Sequence, residues 1–256
     1  MPLKMQIADS YNKPAWRNWL EELPEADDRF SNAGLIQCGR NQLYRCCFDD
    51  LDLVVKRFPN GGVWRKFVYR VFPGKAKRSY FHSERLIEAG LNTPAPVAWV
   101  ESWKGSWLDE SFYICRFTPF EHEARDFHRP ELPQRIEKAR LLGQSLAQMH
   151  QSQILHLDLT PGNLLFTRNS EDGWELHIVD NNRMRFGPVS NRAAITSLVQ
   201  ADLPDDLIKP MLEAYAAHVR SPLEELDRAY RESRQNYALK WQIKNATRPW
   251  RRKIGL

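Results

Sequence analysis

Residues 156–182 read HLDLTPGNLLFTRNSEDGWELHIVDNN, and the reading of the whole chain turns on them. NLLF and WELHIVD are two short apolar runs separated by the polar cluster NSEDG, the pattern of two strands joined by a turn. A hairpin of this kind brings its ends together, so Asn163 is expected beside Asp180. Asp158 precedes them on a loop interrupted by Pro161 and Gly162. A carboxylate that can take a proton from a hydroxyl, with an amide and a second carboxylate as hard oxygen ligands, is the set that phosphoryl transfer from a nucleotide requires. A metal-free hairpin with acids placed by chance is the bland alternative.

HLDLTPGN fits the kinase catalytic loop H-x-D-x-x-x-x-N, and VDNN stands where protein kinases carry D-F-G. Leu157 replaces the usual Arg, and Asn181 and Asn182 replace Phe and Gly. In protein kinases that Arg helps to hold a phosphorylated activation loop, so its absence argues against such a switch. With GRNQLY, VVKRF, KAKRSYFHSERLIEAGLNTPAPVAWVE and VDNNRMRFGP, the chain resembles the bacterial lipopolysaccharide core (Kdo or heptose) kinases over residues 33 to 190. The resemblance implies an α+β, two-lobed protein-kinase-like fold, with a small antiparallel β lobe and a mainly helical large lobe. It implies ATP and magnesium (Mg2+) as cofactors and a saccharide or glycolipid as acceptor. Asp158 would be the catalytic base, and Asn163 and Asp180 the metal ligands. Lys56 would contact the phosphates and pair with Glu84, with Glu88 in reserve one turn later. Backbone groups at Arg116, Phe117 and Thr118 would meet the adenine.

A chain of 256 residues can bury one large core or two small ones, and 42% hydrophobic with 27% charged residues is an ordinary globular balance. Its apolar runs fall far below the roughly 20 residues needed to cross a bilayer. The start, MPLKMQIADSYNK, has no apolar stretch of the secretory kind, so a cytoplasmic location is expected. Cys38, Cys46, Cys47 and Cys115 lack metal-site spacing and read as reduced, mostly buried side chains. A net charge of +5 suits an anionic partner without choosing one. Nucleic acid is not expected, because the basic residues are not interleaved with a known module.

Along the chain, KPAWRNWLEEL places Ala15, Trp16, Trp19, Leu20 and Leu23 at helical spacing, a helix expected to pack across the first lobe. GLIQCG, QLYRCCF and DLVVKRF read as strands, and residues 97–117 as two more around WKGS, giving a five-stranded lobe. The GRN turn has Gly39 as its only glycine. It reads either as a phosphate loop, with Arg40 or Asn41 supplying side-chain donors, or as an ordinary hairpin turn. Residues 118–133 read as an irregular hinge, Glu131 to Gln151 as a helix leading to His156, and three helices follow Pro188. Lobe boundaries of 1–117 and 118–256 follow. His156 reads as a structural hydrogen-bonding residue.

Two basic stretches stand apart. Residues 57–83 carry seven basic residues and no acidic one, and residues 240–256 carry six with Trp241 and Trp250. Val63 to Arg78 reads either as a helix lying in a membrane interface or as one docked on its own lobe. The first alternative would bring the enzyme to the anionic inner-membrane surface as a peripheral protein. The function expected is ATP-dependent phosphorylation of a sugar hydroxyl of lipopolysaccharide core or a similar glycolipid. The alternatives are a kinase of another small molecule or protein, and an inactive kinase-like nucleotide-binding module.

Overall fold

A computed structural model describes residues 2–25, 34–38, 41–59 and 72–253 of the chain. The chain divides into two compact units, Met1–Pro119 with Ile178–Arg183, and Phe120–His177 with Met184–Leu256. A boundary at 117/118 alone assigns the short segment Ile178–Arg183 to the second unit. In the structure it belongs to the first, for reasons given by its hydrogen bonds below.

The first unit is built on a six-stranded antiparallel sheet in the order β1-β5-β6-β4-β3-β2. The strands are β1 (Leu3–Ile7), β2 (Gly34–Cys38), β3 (Gln42–Phe48), β4 (Leu51–Pro59), β5 (Pro96–Lys104) and β6 (Trp107–Arg116). Five strands are expected from the sequence; β1 is the addition, pairing with β5 from Leu3↔Ser102 to Ile7↔Ala98. Its signal was present in the alternation Leu3, Met5, Ile7 against Lys4 and Gln6. The β3–β4 hairpin closes through Asp49 and Asp50, both left-handed with φ of 52° and 57°, the conformation a two-residue turn needs.

Strand alternation divides the sheet into two faces. Leu53 and Val55 of β4, with Phe112 and Ile114 of β6, face the core closed by Trp16 and Leu20 of α1 (Pro14–Glu21). Trp16 and Leu20 are fully buried, and each such side chain contributes roughly 1.5–3 kcal/mol. On the opposite face Phe58, Tyr113, Cys115 and Trp99 meet Ala76 and Tyr80 of α2 (Lys75–Glu88). Lys56 lies between Val55 and Arg57 and pairs in register with Tyr113, so it shares the α2 face. Cys115 is buried, but Cys46 is only partly so and Cys47 is exposed, which corrects the expectation of mostly buried thiols; all three are free.

The second unit has a three-stranded sheet in the order β10-β9-β7 and a two-stranded ribbon of β11 with β8. These are β7 (His122–Glu123), β8 (Ile154–His156), β9 (Leu164–Arg168), β10 (Trp174–Ile178) and β11 (Met184–Phe186). The expected β9–β10 hairpin is present, and Asn169 fixes its turn by accepting the N–H groups of Glu171 (3.0 Å) and Gly173 (2.8 Å). The helices are α3 (Arg135–Gln151), α4 (Asn191–Gln200), α5 (Asp205–Val219) and α6 (Leu223–Lys253). α3 and α5 pack so closely that a Cβ on Gly143 would lie 2.1 Å from the Met211 carbonyl oxygen. The expected hinge is not wholly irregular: β7 and a short 3-10 turn, Ala124–His128, form within it, held by a reciprocal Glu123/Asp126 cap. No helix among the described residues is long and apolar enough to cross a membrane.

Candidate active site

The site residues fall into two groups, each held within its own unit. In the first unit, Lys56 and Asp180 form an ion pair although 124 positions separate them. The Asn182 side chain donates to the same Asp180 oxygen at 2.6 Å. Two donors on one carboxylate fix its orientation. Asp180 also adopts a left-handed backbone, φ 60°, which Asp tolerates better than most residues and which turns the chain sharply after β10.

Asn181 explains why this segment joins the first unit. Its amide is buried, 4% exposed, and donates to Ser83 Oγ of α2 at 2.9 Å and to Thr93 Oγ1 at 2.8 Å. Ser83 Oγ continues the network to Tyr113 Oη on β6 at 3.0 Å. The Asn181 carbonyl accepts from His82 Nδ1 at 2.6 Å, and the Ile178 N–H donates to the Asn92 carbonyl at 2.9 Å. Burial holds the His82 pKa below its ordinary value, which keeps the ring neutral as an Nδ1–H donor. Where protein kinases place an apolar Phe, this chain anchors the Ile178–Arg183 segment with a polar clamp. The buried face of α2 carries Ala76, Ser79, Tyr80, Ser83 and Leu86, so Ser83, not Glu84, is the inward residue at this level.

The structure therefore brings Lys56 to Asp180 and not to Glu84. Glu84 is half-buried and interacts with Tyr80, whose pKa is pushed up first by burial and then by that carboxylate. Glu88 pairs with Arg85 at the surface. Of the three residues whose backbone groups were expected at the adenine, the Arg116 N–H donates to the Ala95 carbonyl and the Phe117 N–H to that of Asp52, both at 2.9 Å. Among the described residues, Thr118 keeps the one uncommitted amide of the three. The Phe117 ring is itself covered by the Arg45 guanidinium, 3.7 Å from its centroid. Gly39 and Arg40 of the GRN turn lie outside the described residues.

In the second unit, β8 delivers the chain to Asp158. His156 is buried, and its Nδ1 accepts the Asp158 N–H at 3.1 Å, so the ring shapes the loop as expected of a structural residue. The Asp158 carbonyl accepts the Thr160 N–H at 2.9 Å and the Asn163 side-chain amide at 2.8 Å. With its nitrogen so engaged, Asn163 has its amide oxygen left for a ligand. Pro161 opens the 3-10 turn that ends at Asn163, and Gly162 lies under the movable Arg125 guanidinium. The Asp180 carboxylate in the first unit and the Asn163 amide oxygen in the second are each a hard donor of the kind magnesium takes. No cluster of three or more His, Cys, Asp or Glu suited to a metal occurs among the described residues.

The sequence matches no family model and no curated protein. Solved structures do match. WaaP in complex with acyl carrier protein aligns over 97% of this chain and 99% of its own, with 19% identity and a TM-score of 0.59. The gentamicin complex of APH(2")-IIa aligns over 91% of each chain at 13% identity, TM-score 0.55. Its streptomycin–ATP ternary complex aligns over 91% of this chain and 93% of that one, again at 13% and 0.55. The chain has the α+β, protein-kinase-like fold.

Proposed function

We propose that this protein is an ATP-dependent phosphotransferase that phosphorylates a sugar hydroxyl of lipopolysaccharide core or a similar glycolipid, using magnesium. The observation that carries the reading is the Lys56–Asp180 pair, formed across 124 residues by two positions singled out for phosphate and metal. The neighbouring fold that holds streptomycin and ATP together supports a nucleotide and a sugar-bearing acceptor on such a scaffold. Asp158 orients the acceptor hydroxyl and takes its proton as the phosphoryl group departs from ATP. Asn163 and Asp180 would hold the metal; Lys56, placed on strand β4, contacts the phosphates; Thr118 offers a backbone amide to the adenine. When bound, magnesium would supply charge neutralisation on the phosphates. The protein's own share is positioning and electrostatic stabilisation, because this transfer needs little covalent chemistry from it. Lys56 serves Asp180 as counter-ion before nucleotide arrives, so neither charge is left bare.

We place the enzyme in the cytoplasm, as a peripheral protein at the anionic inner-membrane surface where a lipid-linked saccharide is presented. The basic residues of 57–83 and 240–256 support this. Residues 60–71, and the side chains from Lys240 onward, lie outside those described. The deciding experiment is mass spectrometry of glycolipid from cells carrying the intact chain or Asp158→Asn. One phosphate present with the first and absent with the second is expected, with purified Asp158→Asn turning over at least ~100-fold more slowly. Unchanged turnover by the folded variant would overturn the assignment of Asp158.

A further inference from the structure

On the α2 face of the first unit's sheet, Lys56 stands opposite Leu43 of β3, and two positions back along β4 Val54 stands opposite Arg45. Helix α2 packs on β4, β5 and β6 and covers Phe58, Tyr113 and Cys115 of this face. Towards β3 the cover thins: Val54 and Leu43 are partly buried and Arg45 is exposed. The Phe117 N–H donates to the Asp52 carbonyl, which sets the chain before Thr118 level with Asp52, four strand residues or about 13 Å from Lys56. A nucleoside triphosphate with its phosphates at Lys56 and its base at Thr118 spans such a length and passes over the row of Val54 and Arg45.

The Arg45 side chain lies across that path. Its Nε donates to both Asp52 carboxylate oxygens at 3.0 Å and its Nη2 to one of them at 2.5 Å. The guanidinium carbon lies 3.7 Å from the centre of the Phe117 ring. Because β4 runs between β3 and β6, the side chain must cross β4 diagonally to reach the residue that precedes Thr118. The fold gains little from this arrangement. Both partners of the ion pair are about half exposed, 50% and 41%, and a surface pair contributes little while ordering a long side chain costs entropy. The result is a planar cation of fixed orientation, backed by an aromatic ring and open over half its surface.

We propose that Arg45 is a specificity-determining residue for the nucleotide: its guanidinium, held flat by Asp52 and Phe117, is the platform on which a purine base stacks. The inference rests on the reading of Lys56 and Thr118 as phosphate and base contacts, and adds how the base is chosen. A guanidinium plane attracts the π face of a base, and a two-ring purine covers it more fully than a one-ring pyrimidine. Val54, on the same face, supplies an apolar flank. Asp52 is the positioning residue: its carboxylate fixes the plane and offsets the charge that would otherwise draw the triphosphate onto Arg45.

The test uses the full chain with magnesium, in calorimetry. The probes are the non-hydrolysable imido analogues of ATP and UTP, and inorganic tripolyphosphate. Arg45→Ala should bind the ATP analogue about 10-fold more weakly, the scale of one stacked base, and the UTP analogue about 3-fold more weakly or less. Its affinity for tripolyphosphate should equal that of the wild type, which also shows the variant to be folded. Arg45→Lys keeps the charge without the plane and should behave as Arg45→Ala does. Asp52→Asn should weaken the ATP analogue and tighten tripolyphosphate, opposite signs that a merely structural lesion would not produce. Equal affinity of wild type and Arg45→Ala for the ATP analogue would overturn the proposal, as would tighter binding by the variant or recovery in Arg45→Lys. A matching loss on tripolyphosphate in both Arg45 variants would make the residue a phosphate contact and overturn it too. Glycolipid phosphate, scored by mass in cells with and without the chain, separates this proposal from the reading beneath it. Arg45-dependent purine binding with no phosphate added would overturn the kinase reading and leave the platform standing; phosphate addition with ATP affinity indifferent to Arg45 would do the reverse.

Discussion

Replacing Asn181 by Leu tests whether a polar clamp holds the Ile178–Arg183 segment in the first unit. The substitution keeps the branching at Cγ, with bulkier methyls, and removes the amide donor to Ser83 Oγ (2.9 Å) and Thr93 Oγ1 (2.8 Å). Each bond contributes about 1 kcal/mol net, and the abandoned hydroxyls, on residues at most 7% exposed, lose a partner they cannot replace with water. Against this, the buried Asn181 Oδ1 has no partner, so Leu also relieves a desolvation cost of about 1 kcal/mol or more. The balance is a destabilisation of about 1–2 kcal/mol, read as a lowered urea midpoint followed by tryptophan fluorescence. A double-mutant cycle with Thr93→Val isolates the contact, because Val removes the acceptor while keeping the shape. A coupling of roughly 1 kcal/mol between the two positions is expected, and additivity within about 0.3 kcal/mol would refute the clamp.

Other outcomes follow from the same geometry. Asp180→Ala should abolish the magnesium-dependent part of ATP affinity in calorimetry; equal affinity in all four combinations of protein and metal would favour a metal-independent binding module. His150, 7% exposed with Nδ1 on Tyr215 Oη at 3.0 Å, has its pKa lowered by burial to about 4. Its unfolded value is near 6.5, so the unfolded chain binds the proton first. Stability is therefore full above pH ~6.5 and falls as pH drops towards about 4, by roughly 3 kcal/mol. Urea midpoints at pH 7.5 and 4.5 should converge in His150→Gln, and an unchanged pH slope would exclude this residue as the cause. Sedimentation with anionic vesicles should carry the protein down at low salt and release it at high salt, each engaged Lys or Arg contributing about 1 kcal/mol. No binding at low salt would reject the membrane role and leave the kinase reading untouched.

Much of the architecture was legible in the chain because it is written in local periodicity. The alternation in QLYRCCF and DLVVKRF, the helical spacing in KPAWRNWLEEL and after Pro188, and the turn formers in NSEDG each need only a few neighbouring residues to be read. β1 is equally local, in the alternation of Leu3, Met5 and Ile7 against Lys4 and Gln6. The candidate loop was legible for a related reason: Asp158 and Asn163 are close in sequence and join in one compact loop. The absence of any family-model match beside full-length structural matches has the same origin, since many sequences satisfy an apolar pattern while few positions carry chemistry.

What the sequence determined by itself was the order of elements and the kinase-like motif. Which side chain Lys56 meets was settled only by tertiary packing. Glu84 lies at plausible helical spacing, yet the rotation of α2 on the sheet turns Ser83 inward and sends Glu84 to Tyr80. Asn181 looked like a departure from D-F-G until its partners, 98 and 88 residues away, showed it to be an anchor. That the Arg116 and Phe117 amides are taken by the Ala95 and Asp52 carbonyls was likewise visible only in the folded chain. Each of these outcomes depends on which distant hydroxyl, carboxylate or carbonyl the folded chain brings within about 3 Å of a buried group, and local periodicity carries no information about that.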